Sequence, residues 1–276
     1  MSNIVDPIPR HLLMNLLLGV DGGVLGVAEA VAAAQLFHIS GNATRVALAR
    51  LAAAGLVEAV GRGAYRLGPG GRALAGEVET WRSAETKLKP WDGGWIAVAT
   101  GGLPRADRAA LRLRERALKI LGLRELTAGL FVRPDNLAGG APDMRARLRA
   151  LDVGDEAPTF RITDLDVERE GQARLLWRSD DLDRRYGDWI RRIDSWLAQA
   201  GDLPPGRAAR ESFLLGDAGI RELVFDPLLP APMCDVALRR AFRDAVIRLD
   251  DVGHDIWRRY LAAARSGSTA RADAPA

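Results

Sequence analysis

The stretch with the most usable chemistry is Ser40-Gly41-Asn42-Ala43-Thr44-Arg45-Val46-Ala47-Leu48-Ala49-Arg50-Leu51. Ser40 is a residue type that caps a helix, because its hydroxyl accepts from an amide of the first turn. In a helix beginning there, Ala43, Ala47, Leu48 and Leu51 share an inward face. Asn42, Arg45, Val46 and Ala49 share the opposite one, with Arg50 flanking. Guanidinium and carboxamide groups on an exposed helix face suit the edges of base pairs in a major groove. Arginine bonds guanine in pairs, and an asparagine near the helix start reaches a base edge or a phosphate. The free amides behind Ser40 suit a phosphate as well.

A second group follows at once. Leu56-Val57-Glu58-Ala59-Val60, Gly61-Arg62-Gly63 and Ala64-Tyr65-Arg66-Leu67 read as two short strands around a glycine turn. A hairpin behind such a helix is a wing, with Arg62 at its tip and Tyr65 and Arg66 on the returning strand. Contacts from there position a duplex without specifying its sequence. The expected duplex contacts are therefore Ser40, Asn42, Thr44, Arg45, Val46, Ala49, Arg50, Arg62, Tyr65 and Arg66.

A third group is aromatic and cationic. Trp177, Arg178, Arg184, Arg185, Tyr186 and Trp189 concentrate rings and guanidinium groups, the partners an aryl ligand carrying phosphates needs. The same pattern suits a packed helix face with solvated arginines, and Trp177, Trp189, Ile193 and Trp196 could all be core. The single Cys234 excludes an intrachain disulfide or a cysteine-based zinc cluster, and His11, His38 and His254 lack ligand spacing. No metal or other cofactor is expected. The acidic pairs Asp180-Asp181 and Asp250-Asp251 read as solvated helix faces.

The elements that must position these groups can be read around them. Pro9 opens a first helix and Gly19 closes it; a second spans 27–37 behind the Gly22-Gly23 loop; the third ends at Gly55. Residues 1–70 thus read as a winged helix-turn-helix. Residues 71–90 follow as a helical linker breaking at Pro90. Residues 91–170 read strand (95–99), helix (105–121), strand (129–132), helix (143–151) and strand (159–165). On the first of these helices Arg108, Arg112, Glu115 and Lys119 form a polar side, and Ala110, Leu113, Ala117 and Leu121 an apolar one. Residues 171–265 are helical, over 182–200, 206–215 and 234–265. In the last helix Leu238, Phe242, Val246, Leu249, Val252, Ile256 and Tyr260 make an apolar stripe that suits a core or a dimer. The small polar tail 266–276 is expected to be disordered. The fold class is α+β and multidomain.

Composition permits a nucleic-acid partner. Of 276 residues, 48% are hydrophobic and 27% charged, for a net charge of +3, and lysine occurs only at Lys87, Lys89 and Lys119. Nearly all the basic charge is therefore arginine, whose planar fork suits phosphate and guanine. No apolar run approaches the roughly 18 residues that suggest a membrane helix, and the short run 12–18 lacks the flanks of a signal peptide. A soluble cytoplasmic protein is expected.

The segment Ile39 to Leu51 followed by Gly55-Leu56-Val57-Glu58 resembles the recognition-helix region of the PaaX family of repressors of phenylacetate-degradation genes. Tyr65-Arg66-Leu67, Trp91-Asp92-Gly93-Gly94-Trp95, Gly129-Leu130-Phe131-Val132-Arg133-Pro134 and Phe225-Asp226-Pro227-Leu228-Leu229-Pro230 extend the resemblance in order along nearly the whole chain. It implies a winged helix, a central ferredoxin-like (Cas2-like) α/β domain and a helical C-terminal domain. It also implies a homodimer on palindromic operators, released by an aryl-coenzyme A thioester such as phenylacetyl-coenzyme A, and no catalysis. Two departures stand out. Gly41-Asn42-Ala43 replaces the charged or bulky residues common at that helix start. Thr100-Gly101-Gly102-Leu103-Pro104 lacks the acidic residue that usually ends the first central strand, and a metal-dependent nuclease would need that carboxylate. Such a nuclease and a protein-binding adaptor are the alternatives.

Overall fold

A computed structural model describes residues 5–61, 63–72, 81–104, 107–153 and 156–272. The fold is α+β, with two small antiparallel sheets among many helices. Two compact units divide the chain. The first comprises Met1–Arg82, Arg191–Arg221 and Asp244–Ala276; the second comprises Ser83–Ile190 and Glu222–Arg243. The units do not follow chain order: residues 171–265 are shared out between them.

In the first unit, α1 (Pro9–Gly19) begins on its proline and α2 (Val27–Gln35) is followed by α3 (Gly41–Ala53). Ser40 caps α3 by accepting from the Ala43 amide at 3.2 Å, and Gly55 turns the chain out of it at φ 67°. The Glu29 carboxylate caps α2 by accepting from the Gly26 amide at 2.7 Å. Strands β2 (Val57–Ala59) and β3 (Ala64–Leu67) form the expected hairpin. A strand the sequence did not reveal, β1 (Val24–Gly26), pairs with the free side of β3, giving the order β1-β3-β2.

The glycines after the hairpin are packing positions rather than a mere boundary. A Cβ on Gly68 would stand 2.6 Å from the Gly55 carbonyl oxygen, and one on Gly71 would stand 2.1 Å from that of Leu56. The returning chain therefore lies directly on the end of α3. Gly71→Ala must displace backbone, and should cost about 1–3 kcal/mol of stability, the usual range for overpacking. A denaturant midpoint unchanged from the parent would contradict this.

Leu12, Leu13, Leu17, Leu25, Ala33, Phe37, Leu48 and Val57 fill the core here, and they share it with the far end of the chain. Leu261 of α9 (Val236–Ala272) is buried in the same cluster, and Phe213 of α8 (Pro205–Val224) packs against it. Phe37 lies edge-on to Phe213 and parallel to Trp257. Arg265 of α9 donates to the Glu29 carboxylate at 2.6 and 3.0 Å, and Arg82 pairs with Asp250 and Asp251. The helix α9 continues to Ala272 and includes part of the tail expected to be disordered.

The second unit is built on a four-stranded sheet. Its chain order is β4 (Trp95–Ala99), α4 (Arg108–Ile120), β5 (Arg124–Thr127), β6 (Leu130–Pro134), α5 (Gly140–Ala150) and β7 (Thr159–Ile162). The spatial order is β5-β6-β4-β7, all neighbours antiparallel. Ile96 and Val98 of the sheet pack against Ala117, Leu118, Met144 and Leu148 of the two helices. Leu113, expected on the inner side of α4, is 59% exposed; Leu118 takes the buried position. Asp107 caps α4, accepting from the amides of Ala109 and Ala110. After β7 come α6 (Val167–Leu175) and α7 (Ser179–Gln199). The helical linker expected over 71–90 lies outside the described residues at 73–80, and its end, Ala84–Lys87, is a single 3-10 turn. On α9, Phe242, Val246, Leu249 and Ile256 of the expected stripe are buried, whereas Val252 is partly exposed.

Three of the quoted sequence stretches acquire physical reasons in this unit. Gly94 lies where a Cβ would meet the Arg161 guanidinium at 2.4 Å. That glycine lets Arg161 lie against the backbone and bond Asp92 at 2.6 Å and Asp135 at 2.7 Å. Arg133 is fully buried and bonds only carbonyl groups: Leu121 at 2.7 Å, Pro227 at 3.2 Å, Pro134 at 3.3 Å and the Asn136 side chain at 3.3 Å. Asn136 in turn donates to Leu228 at 2.6 Å. The stretch ending in Arg133-Pro134 and the stretch Phe225 to Pro230 are thus two halves of one bonded structure.

Glu85 supplies a pH-dependent element of the same unit. Burial alone would push its carboxyl up, but the hydrogen bonds and charges of Arg239 at 2.8 Å and Arg240 at 3.2 Å hold it below the ordinary range. A depressed carboxylate stabilises the fold fully above its unfolded value of about 4.3 and loses that contribution as pH falls through its folded value. Glu85→Gln should therefore flatten the fall of the thermal midpoint below about pH 4. Parallel curves for variant and parent would sink the assignment.

Candidate nucleic-acid interface

The outer face of α3 is the feature that most resembles a reading surface. Asn42, Arg45, Ala49 and Arg50 are exposed, and Val46 is 42% exposed. Inward, Leu48 and Leu51 are buried, while Ala43 and Ala47 are partly covered. Among the described residues neither Arg45 nor Arg50 has a hydrogen-bonding or ionic partner, so both guanidinium groups are presented to solvent. This matters because most arginines described elsewhere are held by carboxylates, as at Arg82, Arg161, Arg239 and Arg265.

Thr44, expected among the contacts, is fully buried and donates its hydroxyl to the Ser40 carbonyl at 3.0 Å. It closes the first turn of α3 from inside and cannot face a duplex. Ser40 is exposed, with its hydroxyl engaged as the cap. The connection from α2 to α3 runs through His38, whose φ of 58° gives the sharp turn between the helices.

The hairpin is more self-contained than its arginines suggest. Arg66 sits opposite Glu58 in the β2–β3 register and bonds it at 2.5 Å. Arg72 lies 3.9 Å from the same carboxylate and donates to the Leu67 carbonyl. Much of the charge of Arg66 is therefore neutralised within the hairpin. Tyr65 is half-buried against the core of the unit, which makes it a packing residue. Arg62 lies outside the described residues, between Gly61 and Gly63, both at positive φ.

The proposed ligand cluster resolves into core and surface. Trp177, Tyr186 and Trp189 are 5%, 0% and 7% exposed. Trp177 stacks on Trp95, and both Tyr186 and Trp189 lie against Phe242. The Tyr186 hydroxyl donates to Asp226 at 2.6 Å, deep enough that burial pushes the Asp226 carboxyl up. Arg178 and Arg184 both pair with Asp181, and Arg185 pairs with Glu222 at 2.7 Å. The rings face inward and the cations outward, so the six residues do not converge on one space. An amphipathic helix of aromatic and arginine residues produces the same composition as a binding site, and only burial separates the two.

Where the resemblance leads one to look for a metal-binding carboxylate, Thr100 is buried, and its amide and hydroxyl both donate to the Gly129 carbonyl, at 2.6 and 3.3 Å. Among the described residues no cluster of His, Cys, Asp or Glu could hold a metal ion, and no helix is long and apolar enough to cross a membrane.

Comparisons with known proteins give a fold and no function. No family model matches the chain. No curated protein matches it either. Among solved structures, an uncharacterized protein, Rv0674 from Mycobacterium tuberculosis, is similar with a TM-score of 0.62 at 21% identity, covering 93% of this chain and 100% of the other.

Proposed function

We propose that this chain binds double-stranded DNA through the exposed face of α3 and acts as a transcription regulator. The observation carrying this reading is the unpaired state of Arg45 and Arg50 beside Asn42, on the second helix of a tight helix-turn-helix. The order β1-β3-β2 supports it, because three short strands behind three helices are the parts of a winged helix. In that arrangement the second helix of the pair enters the major groove and its outward side chains meet base edges. The pattern β-α-β-β-α-β with order β5-β6-β4-β7 supports reading the second unit as ferredoxin-like. The resemblance to PaaX-type repressors points the same way and suggests a homodimer on paired half-sites, in the cytoplasm and without catalysis.

The aryl-coenzyme A expectation has lost the residues meant to carry it, since Trp177, Tyr186 and Trp189 are core. The proposal therefore rests on DNA alone. Selection of genomic fragments by the purified full chain tests it. Recovery of a recurrent, partly palindromic motif is the expected result, and indiscriminate recovery at all salt concentrations would sink the groove assignment. Repeating the selection with phenylacetyl-coenzyme A tests whether such a thioester loosens binding.

A further inference from the structure

The helix α4 carries Arg108, Arg112, Arg114, Arg116 and Lys119 against the single acid Glu115. Arg108, Arg112, Arg116 and Lys119 are exposed and fall within an arc of about 80° on a helix of 3.6 residues per turn. Among the described residues none of these four has an ionic or hydrogen-bonding side-chain partner. The arrangement is unfavourable for the isolated helix, because Arg108, Arg112 and Arg116 are like charges at successive i, i+4 positions. The Asp107 cap sits at the helix start only. An anionic partner along the face relieves the repulsion.

We propose that this face of α4 is a sequence-independent contact for the phosphate backbone of duplex DNA, separate from the reading face of α3. It takes the identity of the polyanion from the DNA-binding reading. The stripe from Arg108 to Lys119 is about 16 Å long at 1.5 Å per residue. Phosphates on one strand recur about every 3.4 Å along the duplex axis, so four cations match a run of four or five. A bilayer fits less well. Surface-lying helices insert an apolar face, whereas Ala117 and Leu118 of α4 are buried against the sheet and Leu113 alone of its large apolar residues is exposed. Single strands fit less well too, since α4 has no aromatic side chain for bases to stack on.

The test measures binding of the full chain to a fluorescent duplex of random sequence, from about 50 to 200 mM salt. The quadruple variant Arg108→Gln, Arg112→Gln, Arg116→Gln, Lys119→Gln should bind at least tenfold more weakly at low salt, with a log–log salt slope about 3.6 units shallower. The double variant Arg108→Gln, Arg112→Gln should show about half that change. A control with the same loss of charge, Arg169→Gln, Arg207→Gln, Arg221→Gln, Arg258→Gln, removes arginines already paired with acids and should keep the parental slope. Unchanged slopes in both α4 variants, with circular dichroism matching the parent, overturn the contact. So does an α4-dependent affinity for phosphatidylserine vesicles with none for the duplex. The groove reading fails separately: Arg45→Ala with Arg50→Ala would leave affinity for the selected motif intact while the α4 slope change persists.

Discussion

Replacing Arg45 and Arg50 together by alanine is expected to weaken binding to a selected duplex about a hundredfold or more, with no loss of fold. Each paired guanidinium–guanine contact is worth about 1–3 kcal/mol, and two such losses give that range. Among the described residues neither side chain has a bonding partner, so the thermal midpoint should stay near the parental value, as it does for most surface substitutions. On the proposed reading, selectivity should suffer more than affinity for random sequence, because base-edge contacts would be lost rather than phosphate contacts. An electrophoretic shift with undiminished affinity and selectivity would remove α3 from the groove.

Arg133→Ala should be the most damaging single change in the second unit, at about 4 kcal/mol. The guanidinium is fully buried and satisfies carbonyls from the end of α4, from β6 and from the Pro227 segment. Burial lowers its pKa to about 10, with the like charge of Arg147 adding to the effect, so the group stays charged at neutral pH. Its removal leaves several buried acceptors without donors, each costing about 1–3 kcal/mol, and adds a cavity. For a chain of this size the thermal midpoint should drop by roughly 10 °C. Arg133→Lys should not rescue it, since a single ammonium cannot reach acceptors spread across the guanidinium fork. A midpoint within about 2 °C of the parent would show that the carbonyls find other donors.

Much of α3 and its outer face was legible because its signals are local. A cap at Ser40, a left-handed stop at Gly55 and an apolar face between them can all be read without knowing the tertiary structure. Thr44 was misread because threonine is as common on polar helix faces as within a first turn, and only packing separates the cases. The strand Val24–Gly26 has three residues and borrows its partner from across the hairpin, so no alternation announces it. Strand β5 is polar and carries an irregularity between Glu125 and Thr127, and α6 leaves Val167 and Leu175 exposed instead of forming a stripe. The aromatic–arginine stretch illustrates the reverse error. Composition named the right atoms for a ligand, but Trp177 and Tyr186 had closer uses for them against Trp95 and Asp226.

The shared core of α1, α2 and Leu261 has a consequence for biosynthesis. The first seventy residues leave the ribosome well before the residue that completes their interior exists. At roughly 5–20 residues per second, a delay of about ten to forty seconds separates Arg72 from Leu261. Until Phe213 is made Phe37 has neither of its aromatic neighbours, and Glu29 lacks Arg265 throughout the interval. A nascent chain in that state offers an uncovered apolar face to chaperones and proteases. A messenger that breaks early should therefore yield a fragment cleared by the cell, rather than a persistent truncated protein.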